Sequence, residues 1–133
     1  MIKVNTTRFG EISIPEEKVI TFKDGIPGFP ESKKFFILDH RNTPLKWLQS
    51  IDEPELAFLI AESSFIDPNY QISLDKSVVD YLEVNSQEDV IVFLILRVED
   101  GKVVVNYNGP LVFNVNKMLG AQVIIDRNFQ KNS

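Results

Sequence analysis

Between one β-rich run of this chain and the next there is almost never room for a crossover helix. The runs Ile2–Thr6, Glu11–Ile14, Val19–Phe22, Lys34–Asp39, Leu45–Ile51, Leu56–Ala61, Val90–Val98, Val103–Tyr107, Leu111–Val115 and Ala121–Asp126 follow one another across short, turn-rich connections, apart from the longer stretch 62–89. Parallel neighbours need a crossover of a dozen or more residues, whereas antiparallel neighbours need only a tight turn. The chain is therefore expected to be all-β and mostly antiparallel, a small β-barrel-like single domain of eight to ten strands with one short helix.

The punctuation supports that reading. Phe9-Gly10 and Pro15 interrupt the first strands, and Asp52-Glu53-Pro54-Glu55 joins two runs as a hairpin whose Pro54 needs no ladder N–H. Glu99-Asp100-Gly101-Lys102 is a strong hairpin turn, while Gly109-Pro110 is expected to end a strand. The helix is placed after Asp75, a suitable N-cap, because Val78, Val79 and Leu82 form one apolar stripe. Residues 127–133 read as a short polar C-terminal tail to a domain spanning 1–126.

The stretch Phe22-Lys23-Asp24-Gly25-Ile26-Pro27-Gly28-Phe29 is not an ordinary solvated turn. Asp24-Gly25 permits a tight reversal, and Pro27 pushes Ile26 toward extended backbone. Three large apolar side chains, Phe22, Ile26 and Phe29, stand between these punctuators. Either they pin the loop to the core or they offer an apolar knuckle to a partner.

Charge narrows the partner class. Residues 1–51 carry eight Lys/Arg against six Asp/Glu, residues 52–100 two against twelve, and residues 101–133 four against one. The acidic middle repels phosphate backbones and attracts basic proteins, which argues against direct nucleic-acid binding. The N-terminus lacks a signal-peptide apolar region, and the longest apolar run, Val90 to Leu96, has seven residues. That falls far short of the ~20 needed to span a bilayer, so no membrane association and a cytoplasmic location are expected.

Chemistry is poorly supported. With no cysteine and with His40 as the single histidine, thiolate catalysis and Cys-type zinc are excluded and a histidine metal cage is improbable. No nucleophile elbow or phosphate loop occurs, and Asp52/Glu53/Glu55 lacks EF-hand spacing. The expectation is no enzyme activity, no catalytic residue, no metal and no cofactor. A small-ligand-binding barrel stays open, as does a hydrolase if His40 lies in a cleft beside a nucleophile and an acid. Trp47, the single tryptophan, suits either core or interface.

Several motifs together resemble one family. Thr7-Arg8-Phe9-Gly10-Glu11, the Phe22-to-Phe29 loop, Trp47-Leu48-Gln49-Ser50, Asp52-x-Pro54-x-Leu56-Ala57-Phe58, Asn106-x-x-Gly109-Pro110-Leu111 and Gly120-x-Gln122-Val123-Ile124 occur in that order. The chain thereby resembles the bacterial FliW family, over essentially residues 2–126. The resemblance implies a monomeric, non-enzymatic flagellar assembly factor that binds flagellin in the cytoplasm. When free of flagellin, such a protein binds and antagonises the translational regulator CsrA, coupling flagellin translation to export. On this basis Ile26, Pro27, Phe29, Trp47, Glu53 and Glu55 are the expected partner-binding residues.

Overall fold

Strict alternation sends successive side chains of a strand to opposite faces, and at the Phe35-Phe36 pair both faces are covered. The computed structural model describes residues 1–125; the polar tail expected over 127–133 lies outside them. β1 (Ile2–Thr6) and β2 (Gly10–Ile14) form a separate antiparallel hairpin. β3 (Ile20–Thr21), β4 (Lys34–Asp39), β5 (Lys46–Ser50), β6 (Ala57–Glu62), β7 (Val90–Glu99), β8 (Lys102–Asn114) and β9 (Leu119–Gln122) close a seven-stranded barrel in sequence order. Every pairing in it is antiparallel except the closure, where β3 meets β9 in parallel at Thr21 and Leu119.

Phe22, Phe35, Leu48, Ile60, Phe93, Leu111 and Phe113 fill the barrel. Phe22 is edge-on to Phe35 at 5.1 Å and to Phe113 at 5.7 Å, the arrangement that aligns ring edges with π-faces. Each fully buried ring contributes about 1.5–3 kcal/mol of transfer free energy. These side chains occupy the space that a ligand-binding barrel would keep hollow.

Phe36 and Leu38 leave β4 on the opposite face and pack under the β1–β2 hairpin with Val4 and Ile14. A third cluster forms where α2 (Lys76–Tyr81) and the following Leu82 cover Val112 of β8 and Leu119 of β9. Asp75 precedes α2 as expected but makes no side-chain capping bond. A second short helix, α1 (Ser63–Ile66), accompanies the one read from the sequence.

The β7–β8 turn has Asp100 at φ 50 and Gly101 at φ 75, the two left-handed residues that match the twist of a two-residue hairpin. The expected strand end at Gly109-Pro110 is corrected, since β8 runs through it. Pairing with β7 jumps from Phe93↔Leu111 to Ile95↔Asn106, so residues 107–110 bulge opposite Leu94. Pro110 sits in that bulge, where its missing N–H breaks no ladder bond, and its carbonyl accepts from Val123 N at 2.9 Å.

Candidate functional site

The loop after β3 is a plug with an outward knuckle. Phe29 N donates to Ile26 O at 2.7 Å and Ile26 N to Phe29 O at 3.4 Å, closing a turn with Pro27-Gly28 at its tip. Gly28 at φ 91 supplies the left-handed residue that follows proline in such a turn. Gly25 is equally constrained: its φ is 70, and a Cβ there would lie 2.5 Å from Phe29 O. The side chains part company. Phe22 and Ile26 are buried in the barrel cluster, whereas Pro27 and Gly28 are exposed. Phe29 is 37% exposed, its ring edge-on to Phe58 at 5.7 Å.

Ile26 is therefore corrected from contact to scaffold, because a side chain 2% exposed in the native state has no surface to offer. Pro27 and Phe29 stand at the surface.

The acidic β5–β6 turn divides in the same way. Asp52 Oδ2 accepts from Lys33 N at 2.8 Å and Lys34 N at 3.1 Å, and the Glu53 carboxylate accepts from the buried Ser32 hydroxyl. Ser50 Oγ completes the clamp by accepting from Glu53 N at 2.9 Å. Glu53, half-buried, thus ties this turn to the segment leaving the knuckle. Glu55 is exposed and has no side-chain partner among the described residues.

Trp47 lies half-buried on the outer face of β5, under the β1–β2 turn. Thr7 N donates to Pro54 O at 2.9 Å, which sets that turn over the sheet. Phe9 meets Trp47 edge-on at 6.2 Å, and the Arg8 guanidinium sits 4.1 Å from the indole centroid. Trp47 Nε1 donates to His40 Nδ1 at 3.1 Å. An open cleft of about 360 Å³ is lined by Arg8, Phe9, Asp39, His40, Arg41 and Trp47. In the sequence Arg8 is part of a motif and His40 is a lone histidine; the fold makes both neighbours of Trp47.

On the other flank of the knuckle, Tyr81 of α2 donates its hydroxyl to Asp24 Oδ2 at 2.5 Å. Burial, then the hydrogen bond and charge of Asp24, push the Tyr81 hydroxyl up to about 12. Lys23 Nζ donates to Tyr81 O at 3.1 Å and pairs with Glu83 at 3.6 Å. The sequence offered no signal for this link, because its partners are 57 residues apart.

His40 receives its hydrogen bond from an indole, an arrangement unlike a catalytic triad's base. Among the described residues, no group of three or more His, Cys, Asp or Glu is placed to hold a metal, and no helix is long and apolar enough to cross a membrane. What the geometry presents at the surface is an apolar knuckle, an unpaired acid at Glu55, and an aromatic–cationic cleft.

Comparison with known proteins places the chain in a family. The family model described as FliW protein matches residues 3–132. A flagellar assembly factor FliW from Caldicellulosiruptor saccharolyticus is 41% identical over 125 residues, covering 92% of this chain and 82% of its own length. One from Geobacillus thermodenitrificans is 38% identical over 126 residues, covering 93% and 88%. A crystal structure of a flagellar assembly factor FliW superposes with a TM-score of 0.87 at 38% identity, covering 93% of this chain and 89% of that one.

Proposed function

The chain belongs to the FliW family of flagellar assembly factors, and from that membership we propose that it works by binding alone, as a cytoplasmic monomer that takes flagellin in one state and the translational regulator CsrA in the other. Bound to flagellin, it leaves CsrA free to repress flagellin synthesis. Released when flagellin is exported, it sequesters CsrA and lifts the repression. The match across residues 3–132 carries the reading.

The surface is compatible with both duties. An RNA-binding regulator is basic, and twelve acids against two basic residues across 52–100 favour its approach. Within the β5–β6 turn Glu55 is the acid free to meet such a partner, since Glu53 is engaged with Ser32. Pro27 and Phe29 offer the kind of preformed apolar ridge on which an amphipathic segment of flagellin can be laid. Trp47 lies on the outer face of β5, under the β1–β2 turn.

Purified protein passed over immobilised flagellin and over immobilised CsrA tests the reading. Retention on each is expected; passage through both columns would return the chain to a fold without a function.

A further inference from the structure

We infer that the cleft between the β1–β2 turn and the β4–β5 connection is a docking site for an acidic, partly apolar segment of a protein partner, with Arg8 and Arg41 taking its carboxylates and Trp47 the apolar side chain beside them. The inference does not rest on the flagellin and CsrA reading, because it follows from the chemistry of the cleft.

The Arg8 guanidinium sits over the Trp47 ring, 4.1 Å from its centroid, and its N–H groups make no hydrogen bond among the described residues. Neither Arg8 nor Arg41 is within ion-pair distance of a carboxylate among the described residues. Lys46 differs, because its Nζ is 2.6 Å from Asp39 Oδ1 and the two charges offset each other. Two uncompensated guanidinium groups therefore flank one cleft in a chain whose formal net charge is −5. A planar guanidinium with free edges matches a carboxylate in bidentate geometry.

The indole explains the apolar half. Its only donor is already engaged by His40 Nδ1 at 3.1 Å, so the part of Trp47 left in the cleft is hydrocarbon. Phe9 extends that apolar wall. Arg41, at φ 55, is fixed in a left-handed turn closed by the bond from Thr43 Oγ1 to His40 O at 2.6 Å. The two cations thus sit on tight turns, which lowers the ordering cost of binding.

A peptide carboxylate suits the cleft better than a nucleic acid. Two cations are too few to track a phosphate backbone, and the acidic middle of the chain opposes a polyanion.

The test is a titration followed by fluorescence of the single tryptophan. The probes are an acetylated, amidated peptide of alternating glutamate and leucine, its glutamine–leucine analogue, and a short oligouridine. The glutamate peptide should change Trp47 emission saturably, and the effect should weaken with added salt. The glutamine analogue should bind about tenfold more weakly or worse. Arg8→Gln and Arg41→Asn, the latter chosen because asparagine tolerates the left-handed backbone, should lose the same factor while melting like the parent. Equal binding of the two peptides, binding of oligouridine in place of peptide, or no response to any probe would each overturn the inference. So would a concentration-dependent dimer abolished by Arg8→Gln, which would make a second copy of the chain the occupant.

Discussion

The Tyr81 hydroxyl donates to Asp24 Oδ2 at 2.5 Å, joining the end of α2 to the base of the knuckle loop. The bond exists only while Tyr81 is protonated. Its pKa is raised from the ordinary 10.0 to about 12 by burial first and by Asp24 second. A raised folded-state value stabilises the protonated form, so its contribution is complete below pH 10 and is lost as pH climbs toward 12. Alkaline unfolding of the parent should steepen in that window, and Tyr81→Phe should flatten it. Denaturant melts across the pH range, with tyrosinate absorbance as an internal check, give the comparison.

The two halves of the knuckle loop should respond oppositely to truncation. Phe22→Ala removes a ring with no exposed surface and should cost about 3–5 kcal/mol in urea unfolding. Phe29→Ala, at a ring 37% exposed, should cost about 1 kcal/mol and act chiefly on partner affinity. Gly120→Ala reports on the same core from outside the loop. Its Cβ would lie 2.6 Å from Phe22 Cζ, and overpacking of that kind costs about 1–3 kcal/mol.

Much of this architecture was legible in the sequence, for reasons that the residues make plain. Period-two alternation and the turn residues Pro54 and Asp100-Gly101 specify antiparallel strands locally. Phe35 and Phe36 stand side by side in the run Lys34–Asp39, so a strand there sends one ring to each face, and both are buried. Gly109-Pro110 misled because a proline forbids one ladder bond, not a bulged strand. Ile26 and Phe29 could not be told apart, since a tight turn has no repeating period to sort inside from outside. Glu53 and Glu55 read alike as partner-facing acids, because the partner of Glu53, Ser32, lies 21 residues away. Long-range pairing of that kind leaves no local pattern.

Neighbouring acids of the β5–β6 turn should separate by assay. Glu53→Ala leaves Ser32 Oγ without its carboxylate acceptor and should destabilise by about 1–3 kcal/mol. Glu55→Lys should leave stability within about 0.5 kcal/mol of the parent, as exposed substitutions do. Its effect should fall on the association rate with CsrA, largest in low salt and fading as salt is added. Stopped-flow kinetics at two ionic strengths distinguishes them.

Asp89 should mark the acid limb of stability. The N–H groups of Asn85 and Ser86, at 2.9 and 3.1 Å, hold its carboxyl below the usual carboxylate range. A depressed folded value means the contribution is present at neutral pH and lost as acid titrates the group past its ordinary 3.8. Asp89→Asn should lower stability at neutral pH and weaken its dependence on acid, read by thermal melts between neutral and acidic buffers.

Order of addition tests the partner switch most directly. In a calorimetric titration, the free protein should bind CsrA saturably, and protein first saturated with flagellin should release little or no heat with CsrA. Full CsrA binding by the flagellin-loaded protein, with the flagellin still attached, would contradict the switch.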